Sequence, residues 1–360
     1  MFKGKVVTAV GAISSAALDG VSAAALMTDG VSISGFGATG FLPFSEGQRA
    51  ALHAVSESGP GADTRPASQI VGTAHADLLR GFDDVDLIGF EGHLMSFDPA
   101  SRIGDGQALA EVLDRPVVWD FRSADLELGG QGDPLTPFYH FALAKWLGAE
   151  QPLAFLTLGA VARLTWVDPR FDRPDIPGAV LAFDTGPGGG LPDALMRARG
   201  RPDAGDAAHL AAKGEVDDSV VTGHLAHRYF HRMPPKLVGP DTFAGLLASV
   251  GHLSDPDAAA TLTAIAAISV NVGIEHCPSP PKRLLVSGEG RHDLPLMRML
   301  DAAFDCPVDR VDDVGLDGDR LDAQAVAYLA VRVANGLPTS CPGTTGVRAA
   351  VCGGTISRPG

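Results

Sequence analysis

Ala179-Val180-Leu181-Ala182-Phe183-Asp184-Thr185-Gly186-Pro187-Gly188-Gly189-Gly190 sets a carboxylate at the end of an apolar run and glycines directly behind it. The run predicts a buried strand with Asp184 at its tip. Glycine lets backbone N–H groups approach a ligand closely. Such a turn cradles phosphate oxygens while the carboxylate faces the reacting atoms. A tight structural hairpin needs glycines too, so this segment leaves two readings open.

Outward from it, buried strands are predicted at Lys5–Val10, Asp86–Phe90, Pro116–Trp119, Leu153–Leu158, Ala179–Phe183 and Arg283–Ser287. Apolar residues recur at helical spacing over Gly106–Leu113, Phe138–Leu147, Ala258–Asn271, Leu294–Phe304 and Asp322–Ala334. Strands alternating with helices predict an α/β chain with parallel sheet. Gly129-Gly130-Gln131-Gly132 with Pro134 and Pro137 marks a hinge or domain boundary, and Cys277-Pro278-Ser279-Pro280-Pro281 a second break. Two halves, each opening with a strand and a glycine-rich turn, suggest an ancient duplication.

The chain has 360 residues, long for one core, so two domains are expected. With 45% hydrophobic and 20% charged residues it reads as an ordinary globular protein. A net charge of −15 disfavours nucleic acid and anionic membranes as partners, since both need a positive surface. No uninterrupted apolar run reaches the roughly 18 residues of a membrane span. The start, Met1-Phe2-Lys3-Gly4-Lys5-Val6-Val7, lacks a signal-peptide apolar region. Cys277, Cys306, Cys341 and Cys352 form no C-x-x-C pair, so neither a zinc site nor a disulfide framework is indicated. A cytoplasmic, reduced protein is expected.

Several motifs carry chemistry. Gly35-Phe36-Gly37-Ala38-Thr39-Gly40 matches a dinucleotide fingerprint, but Pro43 interrupts and no helix opens, so a strand-to-loop turn is the reading. His224, His227 and His231 fall on one helix face without a partner carboxylate, which favours a solvated helix end over a metal site. Ser14-Ser15-Ala16-Ala17-Leu18-Asp19-Gly20-Val21-Ser22 follows the first strand. It fits a phosphate-holding turn in which Asp19 orients Mg²⁺ or its waters, and equally a hairpin with Asp-Gly at its tip. Asp120-Phe121-Arg122-Ser123-Ala124-Asp125 follows a strand, where open α/β sheets place their sites; a salt-bridge network is the structural alternative. Gly288-Glu289-Gly290-Arg291-His292-Asp293 sits between a strand and a helix, an arrangement whose free amides face adenosine or phosphate. Glu289 is unwelcome beside phosphate.

Taken in order, these segments resemble the anhydro-N-acetylmuramic acid kinase family of the actin, sugar-kinase and Hsp70 ATPase superfamily. The most specific matches are Asp120-Phe121-Arg122 with Asp125, running through Gly129-Gly130-Gln131-Gly132 and Pro134-Leu135 to Pro137 and His140, and Phe183-Asp184-Thr185-Gly186-Pro187-Gly188. Ile103-Gly104-Asp105, Leu18-Asp19-Gly20-Val21, Pro234-Pro235-Lys236 and Thr345-Gly346 support them. The resemblance implies a two-domain, duplicated ribonuclease H-like fold with an interdomain cleft. Its N-terminal subdomain would cover 1–133, with the last residues packing back on it, and its C-terminal subdomain 134–360.

The resemblance also implies an enzyme that uses ATP and Mg²⁺ on an anhydro-sugar and is often dimeric. Asp184 matches the catalytic base. Ser15, Ala16, Ala17, Leu18, Asp19, Gly20, Val21, Ser22, Gly186, Gly188, Gly288 and Gly290 match nucleotide-binding positions, Asp19 serving Mg²⁺ through ATP. Asp120, Arg122, Asp125, Gln131 and Asp322 match sugar-binding positions.

The chain departs from the family pattern at ligand contacts. The first loop reads Ser-Gly-Thr-Ser-Leu-Asp-Gly-Val-Asp in the family, so a glycine is replaced by Ser15, two hydroxyl residues by Ala16 and Ala17, and an aspartate by Ser22. His-Gly-Gln-Thr stands here as Glu91-Gly92-His93-Leu94, and Asn-Ile-Gly-Gly…Asn as Thr157-Leu158-Gly159-Ala160…Arg163. Each lost hydrogen bond to a charged phosphate is worth ~1.5–3 kcal/mol. Three readings follow: a divergent kinase, a non-catalytic paralogue that binds a sugar or nucleotide, and a hydrolase that opens the ring without phosphoryl transfer.

Overall fold

The structure is a computed structural model and describes residues 1–15, 17–58, 63–94, 102–201, 207–239 and 241–360. Small and branched apolar residues fill β1 (Val7–Ser14) and β2 (Gly20–Thr28), which are buried along nearly their whole length. They pair as an antiparallel hairpin from Val7–Thr28 down to Ser14–Val21. β3 (Ile33–Pro43) pairs antiparallel with β2 at the sheet edge. It contains Gly35–Gly40, so the expected strand-to-loop turn is in fact strand. Two register shifts, at Ala24/Leu26 and Met27/Thr28, absorb the irregular glycine-rich spacing.

β4 (Leu87–Glu91) lies parallel to β1. The short β5 (His93–Leu94) and β6 (Arg102–Ile103) pair with each other, and β7 (Val117–Trp119) runs parallel to β4. β8 (Leu153–Leu158), β9 (Val161–Val167) and β10 (Val180–Pro187) form an antiparallel meander. β11 (Leu284–Ser287) is parallel to β8, β12 (Val308–Arg310) is parallel to β11, and β13 (Thr355–Ser357) adds antiparallel to β7.

The first sheet runs β3-β2-β1-β4-β7-β13 and the second β10-β9-β8-β11-β12. Setting β13 and the β5–β6 ribbon aside, both read third, second, first, fourth, fifth strand. Both combine two antiparallel pairings with two parallel ones. One topology occurring twice is the duplicated ribonuclease H-like α/β fold expected from the sequence.

The chain divides into two compact units. The first comprises Met1–Gly148, Asp172–Pro177 and Arg320–Gly360, and the second Ala149–Phe171 and Gly178–Asp319. The helix Pro137–Trp146 therefore packs with the first unit, and the chain returns to that unit at Arg320.

Each unit lays an apolar helix on its sheet at close range. In the first, Leu321–Ala334 crosses β1 and β4 where those strands carry Gly11 and Gly89. A Cβ on Gly11 would meet the Ala323 carbonyl at 1.9 Å, and one on Gly89 the Val326 carbonyl at 2.6 Å. In the second unit, Asp255–Ile274 packs on β10 with Gly186 against Ser269. This helix has a mean hydropathy of 1.5 over an 18-residue window, enough by length and composition to cross a membrane, although Thr, Ser and Asn break its apolar run. Its burial explains the composition. Ala266, Ala267 and Val270 join one core cluster, while Ala258, Leu262 and Ile265 join another on the opposite side.

Candidate active site

Asp184 lies inside β10 and not at its tip, because the strand continues to Pro187. The ladder to β9 breaks between Asp184 and Gly186, and a bulge of this kind re-aims a side chain. The carboxylate is only 2% exposed. Its Oδ1 accepts from Arg163 Nε at 2.8 Å and its Oδ2 from the Val238 N–H at 2.9 Å. The Asp184 N–H donates to the Lys236 carbonyl at 2.9 Å, and its carbonyl accepts from the Tyr229 hydroxyl at 2.6 Å. Burial, with the Asp184 charge beside it, holds Tyr229 protonated far above its ordinary range. The segment 229–238 thus bonds the open side of β10, the edge strand of its sheet.

The glycines behind Asp184 divide into two roles. Gly186 and Gly188 permit close packing: a Cβ on the first would meet Ser269 at 2.8 Å and on the second the Gly159 carbonyl at 2.0 Å. Gly189 and Gly190 form the turn before the helix Leu191–Ala198, whose N-cap Gly190 supplies no side-chain cap. Among the described residues their two amides have no backbone acceptor, and this helix start fits an anionic group.

A Cβ on Gly189 would lie 3.5 Å from the Gly290 Cα, so the two glycine turns stand side by side. Gly288 has φ +78° and faces the Leu158 carbonyl, a position only glycine fits. A Cβ on Gly290 would meet the Leu158 side chain at 2.6 Å. Arg291, buried beneath this turn, donates to Asp312 at 2.8 Å and Asp319 at 2.5 Å. Asp293 caps the next helix through the Leu296 N–H, and burial raises its carboxyl above the ordinary value.

In the first unit, the loop between β1 and β2 closes on itself. The Ser15 hydroxyl donates to the Asp19 carboxylate, the Leu18 N–H to the Ser15 carbonyl at 3.1 Å, and the Asp19 N–H to Ser15 Oγ at 3.2 Å. Ala16 lies outside the described residues. Ala17 and Asp19 are exposed, whereas Leu18, Gly20 and Val21 are buried. Leu18 adopts φ 57°, a left-handed conformation that costs ~1–2 kcal/mol without glycine and is offset here by burial of its side chain. Ser22 accepts from Arg320 at 3.1 Å, which brings the hairpin to the start of the helix carrying exposed Asp322.

Asp120 has φ 52° directly after β7, and its carboxylate accepts from Ser123 at 2.6 Å. Arg122 is buried and pairs with Glu91 at 3.0 Å and Asp133 at 3.0 Å. Asp125 is 1% exposed and accepts from the Gly132 N–H at 2.8 Å and from Ser340 and Thr345 at 2.5 Å each. Gln131 donates its N–H to the Thr345 carbonyl at 2.9 Å. His93 reaches Ser14 Oγ at 3.4 Å from β5, and burial lowers its pKa.

Elsewhere in the second unit, His224 differs from expectation. It is 9% exposed, set against the rings of Phe230 and Phe243, and burial lowers its pKa to about 4. Tyr229 escaped sequence reasoning, since no local signal ties it to Asp184. Among the described residues no group of three or more His, Cys, Asp or Glu is placed to hold a metal.

A family model described as anhydro-N-acetylmuramic acid kinase matches residues 7–359. The anhydro-N-acetylmuramic acid kinase of Roseobacter denitrificans is 50% identical over 358 residues, covering 98% of this chain and 95% of that protein. That of Cereibacter sphaeroides is 51% identical over 364 residues, covering 100% and 98%. Among solved structures, (R)-2-hydroxyglutaryl-CoA dehydratase component A of Acidaminococcus fermentans aligns at TM-score 0.48 and 12% identity over 91% of this chain and 98% of that chain. With a match across nearly all its length and relatives at half identity, the chain belongs to the anhydro-N-acetylmuramic acid kinase family.

Proposed function

We propose that this chain hydrolytically opens 1,6-anhydro-N-acetylmuramic acid and phosphorylates O6 with ATP, giving N-acetylmuramic acid 6-phosphate in cell-wall recycling. One observation carries the reading: Asp184 is buried at a strand bulge with both carboxylate oxygens oriented, by Arg163 and by the Val238 N–H. A base held in this way is aimed without losing all its lone pairs. Asp184 takes the proton from a water that attacks the anomeric carbon. The bridge oxygen leaves that carbon and becomes the O6 nucleophile. Arg163 keeps a positive charge beside the forming acid and restricts its rotation.

The residues present fit a nucleotide. The Gly189 and Gly190 amides and the uncapped helix behind them suit phosphate oxygens, and the Gly288–Gly290 turn lies against Gly189. In the first unit, the amides of Ser15, Leu18 and Asp19 are spent within the hairpin, so exposed Ala17 and Asp19 are the part of the loop proposed to meet a phosphate or its metal. ATP with Mg²⁺ supplies the phosphoryl group when bound. A Mg²⁺ ion held through phosphates and waters needs only one or two carboxylates. Asp120, Arg122, Gln131 and Asp322 are proposed to meet the sugar. Asp125 is proposed to position Gln131 and not to touch the ligand, because its oxygens are spent on Gly132, Ser340 and Thr345.

Asp184→Asn tests the reading. Turnover with ATP and the anhydro-sugar should fall by ~10²–10⁴, while calorimetric affinity for each ligand stays near that of the unaltered protein. Retained turnover removes Asp184 from the reaction.

A further inference from the structure

We propose that Lys236 is a positioning residue for Asp184: its buried ammonium pins the 229–230 turn, and through that turn and its own strand of backbone it fixes the catalytic carboxylate. The proposal rests on Asp184 acting as the base.

Lys236 is 1% exposed, and among the described residues no carboxylate pairs with it. A buried charge without a counter-ion is costly unless every hydrogen is accepted. Here Nζ donates to the Tyr229 carbonyl at 3.2 Å and to the Phe230 carbonyl at 3.5 Å, and it stands 3.3 Å from His276 Nε2, which itself lies 3.2 Å from the Phe230 carbonyl. Nε2 accepts from Lys236 when the ring proton is on Nδ1 and donates to the Phe230 carbonyl when it carries a proton itself, so His276 ties the ammonium and the turn together in either form. The rings of Tyr229 and Phe183 stand 4.8 and 5.9 Å from Nζ, adding cation–π attraction.

The Tyr229 side of this cluster and the backbone of Lys236 lead to Asp184. Tyr229 places its hydroxyl on the Asp184 carbonyl. The Lys236 carbonyl receives the Asp184 N–H, and two residues on the Val238 N–H meets Oδ2. Phe183, the neighbour of Asp184 in β10, lies beneath the ammonium. The sheet cannot supply these bonds, because β10 is the edge strand of its sheet and has no strand partner on its open side. A site that must be held within fractions of an ångström needs such a supporting shell.

The charged and titratable groups beside Lys236 are Tyr229 and Arg232 of its own segment and His276 just beyond the helix Asp255–Ile274, while Asp184, held by Arg163 of β9, meets Lys236 through the backbone. Burial, and secondarily the Arg232 charge, bring the Lys236 pKa down to about 8. Above that pH the amine keeps two donors and gains a lone pair facing a carbonyl, so the turn loosens.

The test measures kcat and KM from pH 6.5 to 9.5 for the unaltered protein, Lys236→Met and Asp184→Asn. The expected result is an alkaline fall of kcat with a midpoint near 8 in the unaltered protein. Lys236→Met should show a 10- to 100-fold lower kcat, KM values for ATP and sugar within about threefold, and no alkaline fall. If Lys236→Met does not fold, the unaltered protein decides alone: no fall between pH 7 and 9 overturns the proposal. An inactive Asp184→Asn beside a Lys236→Met with unchanged kcat overturns the role of Lys236 while leaving Asp184 the base. An active Asp184→Asn overturns both.

Discussion

Asp125 shows at the scale of one residue how a motif's place in the chain leaves its partners open. The sequence sets it five residues after Asp120 and beside Gly129–Gly132, both expected at a ligand site. The structure gives its carboxylate to Gly132, Ser340 and Thr345, and places Gly130 so close that a Cβ would meet Oδ1 at 2.0 Å. Ser340 and Thr345 lie 215 and 220 residues further along the chain, a pairing that no local pattern encodes. Asp125→Ala leaves two hydroxyls and an amide buried without an acceptor, at ~1–3 kcal/mol each with incomplete additivity. The melting temperature should drop by several degrees in a thermal scan, with Ser340→Ala dropping it less. An unchanged melting temperature with a raised sugar KM would instead make Asp125 a ligand contact. Asp184 itself was legible from the apolar run and the glycines. Its bulge, Tyr229 and Val238 were not, because they depend on how an insertion folds back over the strand.

Among the elements, apolar runs and helical spacing located the central strands and long helices, since these are buried on sequence-local criteria. Glycines carry more than one meaning. Gly35–Gly40 reads as a turn but continues β3, where β2 offers a long partner. Gly186 and Gly188, expected beside a nucleotide, also sit where packing admits no Cβ. The same close-approach logic makes Gly11 a strong test. Its neighbours in space are the Ala323 carbonyl at 1.9 Å and the Ala327 N–H at 2.3 Å, backbone atoms of a helix that cannot yield one without moving the rest. Gly11→Ala must push Leu321–Ala334 off β1 and should cost more than about 3 kcal/mol or prevent folding, as overpacked cores do. Gly47→Ala, with nothing within 4 Å in an exposed helix, should be neutral or slightly stabilising. Urea unfolding of both variants reads the contrast, and equal midpoints would mean that the helix does not bear on β1.

At the scale of the whole molecule, the duplicated sheet order was foreshadowed by two strand-and-glycine openings, but the shared polarity of five strands appears only in three dimensions. Each unit also carries a buried histidine with one consequence for acid stability. His75 in the first unit donates from Nδ1 to the Val71 carbonyl, 2.7 Å away, and packs edge-on to Phe90, while its Nε2 has no partner among the described residues. Burial lowers its pKa from 6.5 to about 4. His224 in the second unit is lowered to about 4 by burial and then by the His227 charge. Between pH 6.5 and 4 the unfolded chain binds a proton at each site that the folded chain does not. Stability is therefore complete above about pH 6.5 and lost progressively as pH falls toward 4, by about 3 kcal/mol per site at the limit. His75→Phe keeps the ring against Phe90 and removes the titration from the first unit alone. At pH 7.5 it should lie near the unaltered protein. At pH 5 it should be relatively more stable by about 2 kcal/mol, because ~1.5 pH units below 6.5 are worth that much. Two units need not unfold together, so a single melting temperature is the wrong readout. Hydrogen exchange followed separately in peptides of residues 65–91 and 255–274 resolves them. Protection of the first set should hold to lower pH in His75→Phe while the second set keeps its acid loss; parallel pH curves for both sets would mean that His75 is already protonated, or already exposed, in the folded state.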